Sequence, residues 1–176
     1  MRGHHRMPIA LFLAAAAAFG RTSRDSGAEP RSTAEQQVRA AMHRMMAALD
    51  SRDSAAFLAE FHPDADFHNP IGMVLHGIPE IRALHEKLFA PQPPPGFPSF
   101  ADTTSTGSIQ ALRFAGPDVA VVDWRWTQRG ARTGSTEWSD RAGTNTTVWT
   151  RENGRWGVFA WRDKDFPTGY QRPPGY

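Results

Sequence analysis

Apolar positions in the first half of the chain recur at helical spacing and predict three helices. Ser32 and Glu35 fit a capping box at the start of the first helix. Its apolar face is formed by Val38, Met42, Met45 and Leu49. Asp53 is placed to cap a second, shorter helix that buries Phe57, Leu58 and Phe61, and Pro63 is expected to end it. Pro79 fits the first turn of a third helix with an apolar face of Ile81, Leu84 and Leu88.

The pattern changes to period two from residue 104, which indicates strands. Four segments are predicted as strands: 107–114, 119–128, 144–152 and 155–163. Asn153-Gly154 joins the last two, and this pair predicts a tight hairpin. Residues 63–72 are predicted as a short extended piece. Helices followed by an antiparallel sheet indicate an α+β fold, with three N-terminal helices packed on a curved, mostly antiparallel sheet around a cavity.

The N-terminus has the pattern of a targeting segment. Arg2 and Arg6 precede an apolar run of only 13 residues, 8–20, whereas a membrane span needs about 20. Residues 1–20 are therefore predicted to be a signal peptide, and the protein to be secreted or periplasmic; a buried N-terminal helix is the alternative. Residues 21–31 are predicted to be a flexible linker, 32–165 the folded domain and 166–176 a flexible tail.

Charge and composition exclude several classes of function. The chain has no cysteine, so thiolate catalysis and Cys-ligated metal sites are excluded. The formal net charge of +2 includes Arg2 and Arg6, and loss of residues 1–20 would leave equal numbers of basic and acidic residues. We therefore expect no nucleic-acid partner and no membrane association after signal cleavage. No dinucleotide or flavin motif is present, and no cofactor is expected.

The order of motifs resembles a known superfamily. Two helices, the segment PDADFHNPIG at 63–72, a helix from Gly77 to Phe89 and four strands are similar to the nuclear transport factor 2-like superfamily. Within it, the chain most resembles the bacterial SnoaL-like and SgcJ/EcaC-type proteins, over about residues 33–165. The resemblance implies a cone-shaped fold with an apolar cavity and a homodimer formed through the outer sheet face. It implies little about function, because one fold hosts many chemistries.

Comparison with two enzyme types of this superfamily limits the chemistry. Ketosteroid isomerase needs an Asp base, a Tyr and a protonated Asp; by alignment these positions hold Asn69, Met45 and, near the third, Thr146. None of the three residues can supply the required group, so that reaction is disfavoured. Limonene epoxide hydrolase resembles the chain in placing an Asn at the position of Asn69, but its Tyr corresponds to Phe67. Its Asp–Arg–Asp relay is matched only by Asp123 and Arg125, in reversed order.

Strand alternation predicts which residues face the cavity. On strand 119–128 the more apolar face, with Ala120, Val122, Trp124 and Trp126, is expected to point inward. On the following strands the alignment with ketosteroid isomerase places Thr146, Val148, Thr150, Phe159, Trp161 and Asp163 inward. A one-residue error in register would exchange the two faces of a strand. With Met45, Phe67 and Asn69, these positions form the predicted pocket.

Two residues are candidates for acid–base chemistry. Asp163 is the carboxylate predicted at the cavity mouth, where desolvation can make it a general base; pairing with Arg162 is the alternative. His68 adjoins Asn69, and histidine is a common general acid or base; a surface position is its alternative. His85 is interpreted as structural. His62, Asp64, Asp66 and His68 alternate, but Pro63 interrupts them, so no metal site is predicted.

Three functions fit these observations. The first is a secreted protein whose Trp-lined cavity binds a small apolar or amphipathic molecule. The second is a cofactor-independent enzyme of isomerase, cyclase, dehydratase or epoxide-hydrolase type that uses His68 or Asp163. The third is a homodimeric interaction module without an active site. The sequence leaves open whether the protein is an enzyme.

Overall fold

The structure is a computed structural model and describes residues 30–167. The predicted signal peptide, 1–20, lies outside the described residues, as do most of the predicted linker, 21–31, and of the predicted tail, 166–176. Among the helices of residues 30–167, none is both long and apolar enough to cross a membrane.

Between residues 30 and 167, three helices form where the apolar spacing predicted them. Their bounds are Arg31–Ser51 (α1), Ser54–Leu58 (α2) and Gly77–Phe89 (α3). The cap by Asp53 is confirmed: Ala56 N–H donates to its Oδ1 at 2.9 Å. The capping box is wrong, because Pro30 is the N-cap residue of α1 and Ser32 lies inside the first turn. Pro63 does not end α2, which stops at Leu58 before the chain turns into a strand.

Within the described residues, nine strands form two sheets. Their bounds are Phe61–His68 (β1), Val74–His76 (β2), Pro98–Ser99 (β3), Thr104–Phe114 (β4), Val119–Arg129 (β5), Arg132–Thr133 (β6), Thr136–Glu137 (β7), Arg141–Glu152 (β8) and Arg155–Asp165 (β9). The main sheet has the order β2-β1-β9-β8-β5-β4, and β3-β6-β7 form a small second sheet. The hairpin prediction is confirmed, because Asn153 and Gly154 join β8 to β9 with φ of 51° and 79°.

The α+β class is confirmed, but the expectation that three helices precede the whole sheet is wrong. β1 and β2 lie between α2 and α3, and β1 pairs in parallel with β9. The segment 63–72 was expected to be extended, and residues 63–68 are part of β1, which pairs with β2 and also with the last strand, β9. Pro63 is tolerated in β1 because the pairing is irregular between Phe61 and Asp66. This parallel pair brings Phe67 opposite Trp161.

The core lies between the concave face of the main sheet and the helices. Helix α1 contributes Val38, Met42 and Met45, all fully buried. Helix α3 contributes Ile81 and Leu84, and the sheet contributes its large rings. The wide end of this space is not filled by side chains, and the candidate site lies there.

Candidate functional site

Strand β5 supplies the predicted inward face. Ala120, Val122, Trp124 and Trp126 are buried, whereas the alternating residues are only partly buried or exposed, so the face prediction for this strand is confirmed. Gly107 on β4 and Gly143 on β8 are the residues directly opposite Trp126. The ring of Trp124 lies over Gly107 and that of Trp126 over Gly143, where a Cβ atom would overlap with the ring. The two glycines therefore make room for the two indoles.

The prediction for β8 is wrong by one residue. Residues directly opposite each other on paired strands share a face, and Asn145 lies opposite Trp124 while Thr147 lies opposite Val122. The inward residues are consequently Asn145, Thr147 and Trp149, all fully buried. Thr146, Val148 and Thr150 lie on the outer face. There the Thr146 hydroxyl donates to Asp123 Oδ1 at 2.8 Å.

A β-bulge in β9 accounts for one further error. Val148 pairs with Ala160 while Trp149 pairs with Val158, so Phe159 is an extra residue in the ladder. Alternation counted back from Trp161 breaks there, and Phe159 is 44% exposed on the outer face. Trp161 and Asp163, which lie beyond the bulge, point inward as predicted.

The inward residues of the sheet, the helices and the loop after β1 enclose a cavity of about 170 Å³. Its lining is mainly apolar and includes four indole rings, those of Trp124, Trp126, Trp138 and Trp161. The ring of Phe67 stacks on that of Trp161, with 5.5 Å between centroids and 12° between planes. Packing of this kind fixes the shape of the wall.

Three polar side chains of the cavity, Gln128, Arg141 and Asp163, lie at or near the ends of β5, β8 and β9. Trp126 Nε1–H donates to Asp163 Oδ1 at 2.8 Å, and Lys164 N–H donates to the same oxygen at 3.1 Å. Burial raises the pKa of Asp163 to about 7; the charge of Asp165 also raises it, while the Trp126 hydrogen bond and the charge of Arg141 lower it. Near neutral pH this carboxyl therefore exists in both protonation states.

Asp163 has no cationic partner in the described part of the chain. Arg162, the predicted alternative partner, lies 3.6 Å from Asp66 on the other face. Arg141, which lines the cavity, forms a bidentate pair with Asp165 at 2.7 and 2.8 Å. The Arg141 guanidinium also lies 5.2 to 5.7 Å from the ring centres of Phe100, Trp126 and Trp138. The positive charge is thus balanced locally, and Asp163 is left to interact with whatever enters the cavity.

The remaining predicted pocket residues differ in whether they line the cavity. Phe67 and Asn69 line the cavity, although Asn69 Oδ1 accepts from the N–H groups of Ile71 and Met73 at 3.1 and 2.8 Å. Met45 is fully buried in α1, and its neighbour Met46 lines the cavity instead. Val122 is buried without lining the cavity.

His68 alternates with the inward Phe67 and does not line the cavity. His68 and Asp163 are therefore not brought together. The alternating His and Asp residues of β1 also diverge: His62 is buried with Nε2 3.1 Å from the Thr150 carbonyl, and Asp66 pairs with His76 at 2.6 Å. Within residues 30–167 no three His, Asp or Glu side chains are grouped as metal ligands.

Sequence reasoning missed three features of the cavity. Arg141 fell in a segment predicted as loop, and His85, predicted to be only structural, lines the cavity as well as being buried. Gly107 and Gly143 could have indicated where the rings of Trp124 and Trp126 pack, because an isolated glycine inside a strand indicates a close approach by a neighbouring group. Nothing in the sequence indicated the ion pair between Arg141 and Asp165.

Comparison with known proteins identifies relatives by fold. A family model described as the SnoaL-like domain matches residues 42–158. A domain of unknown function with a cystatin-like fold from Nostoc punctiforme is 21% identical, with a TM-score of 0.65 over 80% of this chain and 82% of that one. A ketosteroid isomerase-like protein from Erwinia carotovora atroseptica is 15% identical, with a TM-score of 0.63 over 75% and 95%. No curated protein matches in sequence.

Proposed function

The chain belongs to the SnoaL-like domain family of the nuclear transport factor 2-like superfamily, and from this premise we propose that it binds a small, mostly apolar molecule between the helices and the sheet. The observation that carries the proposal is a mainly apolar cavity with a few polar side chains in its lining, Asp163 and Arg141 among them. Ligand sites commonly combine an apolar lining with a few convergent polar groups that fix orientation. The apolar part of the ligand would contact the indole rings, and an oxygen atom would meet Asp163.

The size of the cavity limits the ligand. A cavity of about 150 Å³ accommodates benzene, and this one measures about 170 Å³. A one-ring compound with short substituents fits that space, whereas a four-ring steroid does not. This agrees with the absence of the ketosteroid isomerase residues at Asn69 and Met45.

A second candidate function is proton transfer by Asp163. Burial raises the pKa of Asp163 to about 7, and a general acid or base works best when its pKa lies near the working pH. In the protonated state the carboxyl would donate its proton to a ligand oxygen, and in the ionised state it would take one back. The outward position of His68 leaves Asp163 as the candidate from the original pair.

Ligand binding can be tested with a panel of one-ring ketones, alcohols and phenols. We expect at least one compound to quench Trp fluorescence and raise the melting temperature, because four indoles line the cavity. Leu88→Trp, which fills the cavity from α3, should weaken that binding at least tenfold. Val74→Trp, at an exposed position of β2 that does not line the cavity, is the matched control and should leave that binding unchanged. If no compound shifts the melting temperature, the third function, an interaction module with a filled core, is favoured.

We also propose that the mature protein is secreted or periplasmic and forms a homodimer through the outer sheet face. Phe159 supports the dimer, because the bulge exposes this large apolar ring beside the half-buried Val148. Native mass spectrometry of the secreted protein should show a chain without residues 1–20 and twice the monomer mass. Phe159→Asp should give monomers, and Val74→Asp, at an exposed apolar site on β2, should not. A wild-type monomer would refute the dimer.

A further inference from the structure

The side chain of His85 is a further polar group that lines the cavity, on its helical side. His85 lies on α3, is 4% exposed and lines the cavity. Its ring packs against three aromatic rings, with centroid distances of 4.6 Å to Phe57, 5.3 Å to Phe67 and 5.5 Å to Phe89. These contacts hold the imidazole in one orientation.

The hydrogen bond of His85 fixes its tautomer. Nδ1 lies 2.8 Å from the carbonyl oxygen of Ile81, and because a carbonyl can only accept, Nδ1 carries the proton. Burial lowers the pKa of His85 to about 4, so the ring is neutral at ordinary pH. Nε2 is then an acceptor, and among residues 30–167 the bond to Ile81 is the one hydrogen bond that this ring makes.

His85 and Asp163 lie on two walls of the same cavity. Phe67 is in contact with both the His85 ring, at 5.3 Å, and the Trp161 ring, at 5.5 Å. Trp161 and Asp163 are alternate residues on the inward face of β9, about 7 Å apart along a strand. The Phe67 and Trp161 rings therefore connect the two groups along the wall of one cavity.

We propose that His85 Nε2 is a hydrogen-bond acceptor for the ligand, so that the cavity selects a one-ring compound with a hydroxyl at the helical end and a carbonyl at the Asp163 end. The inference rests on the proposed ligand binding and adds the chemical class of the ligand. The hydroxyl donates to Nε2, and the protonated Asp163 carboxyl donates to the carbonyl oxygen. An analogue without the hydroxyl leaves a buried nitrogen unpaired, which costs affinity.

The experiment compares 4-hydroxyacetophenone with acetophenone, which lacks only the hydroxyl. In wild type we expect the hydroxy compound to bind about tenfold more tightly, because one satisfied buried hydrogen bond is worth about that factor. His85→Asn should reduce the preference to less than twofold. Its amide N–H can still donate to Ile81, so the helix keeps its contact. His76→Asn, at an exposed histidine of β2 that does not line the cavity, is the matched control and should retain the preference.

A readout in wild type keeps the inference testable if His85→Asn does not fold. The ¹⁵N resonance of His85 Nε2 should shift when the hydroxy compound binds and should stay in place with acetophenone. Equal affinity of the two ketones in wild type would overturn the inference and leave the proposed binding intact. Failure of both ketones would also overturn it, and the wider panel then decides whether ligand binding as such is wrong.

Discussion

At pH 8, the free energy of unfolding of Asp163→Asn should exceed that of the wild type by about 2–4 kcal/mol, while at pH 4 the two values should be equal. The physical reason is the burial of an ionised carboxylate. Burial raises the pKa of Asp163 to about 7 in the folded protein, against 3.8 for the exposed side chain. Asparagine has the same shape and can still accept the Trp126 hydrogen bond, but it carries no charge.

The sign follows from proton binding in the two states. Between pH 3.8 and about 7 the folded protein holds a proton on Asp163 that the unfolded chain has lost. Stability therefore falls as pH rises through this window, by at most about 1.4 kcal/mol per pH unit. The stability that the protonated carboxyl contributes is fully present below pH 3.8 and is lost above about pH 7. Of the charged groups beside Asp163, Asp165 raises the pKa of its carboxyl and Arg141 lowers it.

Urea unfolding of the wild type and of Asp163→Asn between pH 4 and pH 9 measures this effect. Asp64→Asn, at an exposed carboxylate on β1, is the charge-matched control and should run parallel to the wild type. Parallel curves for Asp163→Asn as well would mean that Asp163 is not desolvated in the folded protein. The proton-transfer proposal would then lose its physical basis.

Local patterns predicted local structure well. The apolar spacing of α1 and α3, the Asp53 cap, the Asn153-Gly154 hairpin and the buried face of β5 each depend on neighbouring residues, and each is confirmed. The order of motifs also predicted the family, since it spans most of the domain.

Long-range pairing was the part that the sequence did not reveal. The parallel partner of β1 is β9, and no pattern within either segment specifies it. The faces of β8 were assigned by counting from an alignment, and a one-residue error moved Thr146 and Val148 to the wrong side. Phe159 was assigned by the same alignment, which does not show the bulge in β9. The inward position of Asp163 was predicted correctly, because this residue lies beyond the bulge. Its raised pKa depends on packing that only the structure contains.

Gly143→Ala is expected to destabilise the protein by about 2–3 kcal/mol, in the range of overpacked cores. A Cβ atom at this position would overlap with the carbonyl oxygen of Lys164 and with the ring of Trp126. The carbonyl belongs to the backbone of the neighbouring strand, so it cannot rotate away. The indole must shift as well, and its Nε1–H would then lose the bond to Asp163.

The matched control is Gly96→Ala, because a Cβ atom there meets nothing within 4 Å. That change costs only the strain of a positive φ, about 1 kcal/mol. Urea unfolding gives both losses of stability. Since the Trp126 hydrogen bond lowers the pKa of Asp163, its loss in Gly143→Ala should move the pH-dependent fall in stability above pH 7. If Gly143→Ala is no less stable than Gly96→Ala and keeps the wild-type pH profile, the indole of Trp126 does not lie against Gly143. The hydrogen bond that orients Asp163 would then have a different geometry from the one described.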